Sequence, residues 1–191
     1  ECYRLTVDKL RLAKRRLKAL SLLQYILPGV PCLYYGDEAG AQGFEDPYNR
    51  GTYPWGREDE ELMAHFRMLA ILRKQYGFLA DGDFSLTWQG EHILIASRCG
   101  ADGNTRDKCR CGESLIAVVN RHLFGSIDVK LELPQGTEYV LELLESREFA
   151  PEEGGCLSLS MDPLCAKLFY CTSRRPQPPS LSRSAGVLCH V

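Results

Sequence analysis

The stretch G-V-P-C-L-Y-Y-G-D-E-A-G, from Gly29 to Gly40, holds an apolar run, Val30 to Tyr35, between two glycines. A run this short, and apolar on both faces, fits a central parallel strand covered above and below. The reading therefore predicts a buried strand from Val30 to Tyr35. Pro28 and Gly29 end whatever precedes it, because proline removes a backbone donor and disfavours helical geometry in the residue before it.

Upstream, Leu10, Ala13, Leu17, Leu20 and Leu27 share one side of a helical wheel drawn from Val7 to Leu27, and Arg11, Lys14, Arg15 and Lys18 take the other. The spacing predicts an amphipathic helix with a solvated basic side. Downstream, Arg57 to Tyr76 reads as a second helix. Leu62, Phe66, Leu69 and Arg73 recur at helical spacing, Glu58, Asp59, Glu60 and Glu61 suit its positive amino end, and Gly77 is placed as its terminator. Helix, strand, helix is half of an α/β repeat, with helices packed outside a parallel sheet.

Beyond Gly77 the apolar period shortens to two. Phe84 to Trp88, His92 to Arg98, Ser114 to Asn120, Ile127 to Leu133, Tyr139 to Leu144 and Ala166 to Cys171 read as strands. Val129, Leu131 and Leu133 point one way, and Asp128, Lys130 and Glu132 the other. Such runs, joined by glycine and proline turns, predict an antiparallel β-sandwich over residues 78–172. A tail over 173–191, rich in Ser, Pro and Arg, is expected to be disordered. The fold class is thus α/β plus all-β. On this reading residues 1–77 could not fold alone, since one helix, strand, helix unit leaves strand edges unpaired and apolar faces open.

The 191 residues are 45% hydrophobic, enough for a buried core, and 23 basic against 25 acidic side chains leave no field that would draw nucleic acid or an anionic membrane. No apolar run approaches the roughly 20 residues needed to span a bilayer. Nine cysteines at irregular spacings read as reduced thiols and a cytoplasmic origin. Cys99, Cys109 and Cys111 leave two alternatives open: a disulfide, or a zinc site completed by Cys156, Cys165, Cys171 or His122. The spacing lacks the paired C-x-x-C of common zinc sites, so free thiols are the default, with no metal and no cofactor expected.

Two groups of residues bear on chemistry. Asp37 and Glu38 follow the apolar run directly, but neighbours leaving a strand point in different directions, whereas glycosidic acid and base groups must face each other across a bond. They are read as structural hydrogen-bonding groups. The next loop sets Phe44, Asp46, Pro47, Tyr48, Asn49, Arg50, Tyr53 and Trp55 together. Flat rings that stack on sugar C–H faces, beside carboxylate and guanidinium groups that bind hydroxyls, suit a carbohydrate ligand. The competing reading is a surface loop in which Asp46 and Arg50 simply pair with each other.

The order G-V-P-C-L-Y-Y-G-D-E-A-G, then D-P-Y-N-R from Asp46 to Arg50, then Pro54 and Trp55, resembles the α-amylase family of glycoside hydrolases. The resemblance is to the neopullulanase, cyclomaltodextrinase and maltogenic amylase type, and runs from about Leu10 to Arg73, roughly a third of the chain. It implies that Val30 to Tyr35 is the eighth strand of a (β/α)8 TIM barrel, flanked by the seventh and eighth helices and followed by the β-sandwich that the family carries after its barrel. It also implies that Asp46 and Arg50, with Tyr48 and Trp55, bind glucose units of an α-glucan substrate on the non-reducing side of the cleavage point. The family's nucleophile, acid/base and stabilising aspartate belong to segments that this sequence does not contain. The chain therefore reads as a carboxyl-terminal fragment, inactive alone, of a retaining enzyme acting on maltooligosaccharides, cyclodextrins or pullulan. It would need the remainder of the barrel as its partner, and a homodimer of the parent is compatible with the resemblance. The alternative is a non-catalytic, amylase-like carbohydrate-binding or partner protein. A third reading is a misassembled gene whose product does not fold.

Overall fold

The computed structural model describes residues 4–43, 45–100 and 112–174. Helix α1 (Val7–Ile26) and helix α2 (Glu60–Gln75) are followed by a short helix α3 (Phe78–Asp81) and eight strands. These are β1 (Asp83–Gln89), β2 (Ile93–Cys99), β3 (Glu113–Asn120), β4 (Ile127–Glu132), β5 (Tyr139–Glu142), β6 (Arg147–Phe149), β7 (Cys156–Met161) and β8 (Cys165–Thr172). All strand pairings are antiparallel: a six-stranded sheet in the order β1-β2-β3-β8-β5-β6, and a two-stranded sheet of β4 and β7.

The two faces of the large sheet bury different partners. On one, Ala96, Leu115, Ala117, Leu168 and Tyr170 pack with Leu22 and Ile26 of α1, Phe66, Leu69 and Leu72 of α2, and Leu79 of α3. On the other, Ile93, Ile116, Val118, Val140, Phe169 and Cys171 pack with Val129 and Leu131 of β4 and Leu157 and Met161 of β7. The alternation along β3 and β8 is the period of two that a pleated strand imposes. Here it serves two cores, which is why β3 is buried at every position but its first. The segment beyond Gly77 is antiparallel and β-rich, and the Val129/Leu131 alternation is as expected.

Three local expectations fail. Val30 to Tyr35 is irregular and exposed, not a buried strand: Val30 is 92% exposed and Tyr34 53%. A strand exists through the ladder its neighbours supply, and none of the described strands lies against this segment. Its carbonyl at Cys32 is met instead by Gln24 Nε2 at 2.8 Å. Leu20 of α1 and Leu27 just beyond it are exposed, and the face buried on the sheet is Ala19, Leu22 and Ile26, because the helix is apolar on two sides. Gly77 has φ −55° and carries the chain straight into α3, so it is no left-handed terminator. Strands β6 and β7 lie outside the runs read as strands from the sequence, although C-L-S-L-S-M in β7 alternates cleanly.

The basic side of α1 is only partly solvated. Lys14 pairs with Asp59, Lys18 with Glu61, and Arg15 donates to the Pro163 carbonyl in the β7–β8 turn. Ser21, buried in α1, meets Nε2 of His65 in α2 at 2.8 Å. Among the described residues no helix is long and apolar enough to cross a membrane. The described cysteines, Cys32, Cys99, Cys156, Cys165 and Cys171, are thiols and not disulfides. Cys109, Cys111 and residues 175–191 lie outside the described residues.

Buried polar groups close the fold locally. The Glu142 carboxylate, 1% exposed at the end of β5, accepts from Leu144 N at 3.2 Å, Leu168 N at 3.2 Å and Glu145 N at 2.6 Å. Replacing Glu142 by Ala strands three amides, each worth on the order of 1–3 kcal/mol when left unmet. Urea denaturation followed by circular dichroism should show a loss of at least about 3 kcal/mol. His65 supplies a pH test. Burial first, then the Lys18 ammonium, pushes its imidazole down to about 4, with Glu61 opposing. The unfolded chain, titrating near the ordinary 6.5, binds the extra proton first, so stability is full above about pH 6.5 and drains as pH falls towards 4. The melting temperature should drop over that window, and His65→Gln should flatten the drop.

Candidate functional site

The site is built where α1 ends. Arg73 of α2 reaches back to donate to the Tyr25 carbonyl at 2.9 Å and to the Gly29 carbonyl, which meets an otherwise unpaired end of α1 and fixes the turn at Gly29. The chain then passes through Val30 to Tyr35 into a compact turn. Asp37 N donates to Tyr34 O, Ala39 N and Ala41 N to Gly36 O, and Gly40 N to Asp37 O. Gly36 and Gly40 hold φ of +89° and +69°, which side chains resist.

Asp59 anchors this turn to both helices. Its amide donates to Ala39 O at 3.0 Å, its side chain accepts from Leu62 N at 3.1 Å as the cap of α2, and it pairs with Lys14 of α1. Burial opposes ionisation of Asp59, but Lys14 and the capped amides outweigh it and hold the carboxyl below the usual carboxylate range.

The loop beyond carries the four predicted contact residues. A single turn of 3₁₀ helix, Tyr48–Arg50, brings Arg50 back over Asp46: Nε lies 2.8 Å from Oδ1 and Nη2 donates to Oδ2 at 3.0 Å. The side chains are 69% and 59% exposed, so this two-pronged pair adds little to stability, on the order of 0–1 kcal/mol. Tyr48 is half exposed and Trp55 is 80% exposed. Trp55 leans on Tyr53, their rings 4.6 Å apart and tilted by 48°. Phe44 lies outside the described residues.

An open cleft of about 700 Å³ runs between the turn and the loop, lined among others by Arg4, Tyr34, Tyr35, Asp37, Tyr48 and Asn49. Of the predicted contact residues only Tyr48 lines it; Asp46, Arg50 and Trp55 stand outside its wall. Tyr34 and Tyr35, read from sequence as strand core, are wall residues instead, and Tyr35 Oη donates to Gly51 O at 2.9 Å, tying the loop to the segment before it. The signal was present in the sequence, because two tyrosines carry hydroxyls that a doubly buried strand must satisfy.

Asp37 and Glu38 diverge, as expected of neighbours. Glu38 accepts from Gly36 N at 3.0 Å, and its charge helps to hold the Tyr53 phenol above its usual range. Asp37 faces the cleft, where burial and the adjacent Glu38 charge push its carboxyl above the usual range. Among the described residues no group of three His, Cys, Asp or Glu side chains is placed to hold a metal. The arrangement can offer hydroxyl, carboxylate, guanidinium and aromatic surfaces to a polyhydroxylated ligand.

No family model matches the chain. Over 111 residues it is 38% identical to an amylopullulanase of Thermoanaerobacter thermohydrosulfuricus, which takes in 58% of this chain and 8% of that protein. Over 148 residues it is 31% identical to a cyclomaltodextrinase of Geobacillus thermopakistaniensis (strain MAS1), covering 76% of this chain and 24% of the relative. The crystal structure of an Anoxybacillus α-amylase superposes with a TM-score of 0.70 at 25% identity, over 88% of this chain and 36% of that one. The chain thus spans less than a quarter of the length of these two curated relatives.

The geometry around Asp59 gives a direct test of the turn. A Cβ on Gly40 would sit 2.9 Å from the Asp59 Cβ, at a φ that already costs an L-residue about 1–2 kcal/mol. Gly40→Ala should therefore lower stability by more than about 1 kcal/mol, and amide exchange should show the Asp59 N–H losing protection.

Proposed function

We propose, from the premise that this chain belongs to the α-amylase family of glycoside hydrolases, that it supplies one wall of an α-glucan cleft whose bond-breaking groups lie in another part of the protein. On this reading residues 1–77 form the last part of a (β/α)8 barrel, residues 78–172 its carboxyl-terminal β-sandwich, and residues 173–191 a tail. Val30 to Tyr35, irregular in the isolated chain, takes the place of the eighth barrel strand and gains a ladder only against neighbouring strands from the rest of the barrel. Without that remainder the chain is inactive, since retaining hydrolysis needs one carboxylate to attack and another to protonate the leaving oxygen. The complete protein hydrolyses or transfers α-glucosidic linkages of maltooligosaccharides, cyclodextrins or pullulan, and resides in the cytoplasm, in keeping with its reduced thiols.

The observation that carries the reading is the exposed Asp46–Arg50 pair on a loop that the Tyr35 hydroxyl ties to the segment before it. Arg50 holds the Asp46 carboxylate in place before any ligand arrives, so binding a sugar need not order either side chain again. The carboxylate has lone pairs left to accept from sugar hydroxyls, and Arg50 has N–H groups left to donate. Trp55, with 80% of its surface open, offers a flat apolar face to the C–H side of a glucose ring. Tyr48, on the cleft wall, presents a ring and a hydroxyl to the same ligand.

Such contacts recognise hydroxyls and do not break bonds, which sets the test. In the full-length enzyme, Asp46→Ala should raise KM for longer maltooligosaccharides by about tenfold, the loss of one hydrogen bond to a charged group, while kcat changes much less. A fall in kcat at unchanged KM would contradict the assignment.

A further inference from the structure

A strand at the edge of a sheet presents unpaired N–H and C=O groups to anything able to pair with them, and the other edges among the described strands are guarded. β6 is three residues long and carries Arg147 and Glu148. β4 holds out Asp128, Lys130 and Glu132 as exposed charges. β7 has its edge closed at Ser158, whose amide and hydroxyl both donate to the Glu152 carboxylate at 2.9 Å. β1 has none of these guards. It is an outer strand of the six-stranded sheet and pairs with β2 over all seven residues without a bulge. Its sequence is D-F-S-L-T-W-Q, with the single charge, Asp83, at one end. No described strand lies against its other side. Phe84, Leu86 and Trp88 share the face that the helices cover further in, since Leu86 stands opposite Ala96 of the helix-side core and α1 packs over β2, β3 and β8. That cover runs out at β1, where Leu86 is 46% and Trp88 55% exposed.

The residues of β1 indicate what completes it. Their character is symmetric about Leu86: the hydroxyls of Ser85 and Thr87 flank it, then the rings of Phe84 and Trp88, then polar Asp83 and Gln89 at the ends. Two copies of β1 laid antiparallel about a two-fold axis at Leu86 set Leu86 against Leu86 and each Phe84 against the other copy's Trp88. They also set each Ser85 against Thr87 and each Asp83 against Gln89. Aromatic and hydroxyl pairs are among the favourable cross-strand pairs, and no like charges meet in this register. We propose that β1 is a dimerisation edge, and that its partner is a second copy of this chain, paired antiparallel through β1 about Leu86. The two six-stranded sheets then run on as one, and the contact closes at two subunits because the same patch is used on both. This inference does not rest on the glucan reading, since neither the Asp46 loop nor the open cleft takes part in it.

Sedimentation velocity on the 191-residue chain should give twice its mass of 21.5 kDa. The β1 amides that point away from β2 should gain protection from hydrogen exchange as protein concentration rises. Leu86→Ala should weaken the dimer by at least about tenfold, because apolar burial is lost on both sides of the axis. Leu86→Lys puts like charges directly opposite each other, on side chains whose Cβ atoms lie about 5 Å apart, and should leave a monomer with unchanged circular dichroism. Leu86→Glu should do the same alone, and an equimolar mixture of the Leu86→Lys and Leu86→Glu proteins should recover the dimer. A monomeric unsubstituted chain would overturn the proposal, and protected β1 amides in that monomer would show that another part of the chain covers the edge. A dimer that survives both Leu86→Ala and Leu86→Lys would place the contact elsewhere and overturn it too, as would a mixture of folded charge variants that stays monomeric.

Discussion

β3 and β8 run antiparallel at the centre of the six-stranded sheet, paired from Glu113 with Thr172 to Asn120 with Cys165, and each has to bury both of its faces. Neither helices nor a second sheet alone would meet that demand. Leu115, Ala117, Leu168 and Tyr170 need the helix layer, and Ile116, Val118, Phe169 and Cys171 need β4 and β7. Burial of a side chain of this size is worth roughly 1.5–3 kcal/mol, so either layer removed would expose several such terms at once. The placement of α1 and α2 is therefore a consequence of the sandwich as much as of their pairing with each other.

Order passes from that core to the loop through polar contacts at the helix ends. Arg73, on the turn of α2 next to buried Leu72, spans to the end of α1. Asp59, at the other end of α2, joins Lys14 of α1 to the turn at Gly40. A loop longer than a simple hairpin thus keeps one shape although most of its side chains are exposed. The helices are fixed by apolar burial, the turn by the helices, and the loop by Tyr35 at the edge of the turn.

Sequence periodicity carried far in this chain where the partner of an element is the chain itself. α2 buries Leu62, Phe66 and Leu69 as its spacing demands, and β4 alternates as written. Periodicity failed at Val30 to Tyr35 because an apolar run states only that cover is required, not which segment supplies it. It also missed which side of α1 faces the sheet, since Leu10, Ala13 and Leu17 compete with Ala19, Leu22 and Ile26, and tertiary packing decides between two apolar stripes. At the candidate site the i,i+4 pairing of Asp46 with Arg50 was legible as the competing reading of a surface loop. The bond from Tyr35 to Gly51 spans 16 positions and has no periodic signature.

Pairing and ligand recognition at Asp46 and Arg50 are not opposed. A pair this exposed contributes at most about 1 kcal/mol to folding, so stability does not account for holding two charged side chains in a two-pronged geometry. In water each side chain alone would sample many rotamers, and the entropy of fixing them would fall on the binding step. Together they form a paired unit with acceptors left on one member and donors on the other, the chemistry that the proposed hydroxyl contacts require. The same logic applies to Trp55, whose exposed face would be a liability in a free surface loop and is an asset beside a carbohydrate. Both features lie on a loop whose backbone is tied to the helix layer. What the proposed site uses here is therefore the part of the fold that contributes least to its stability.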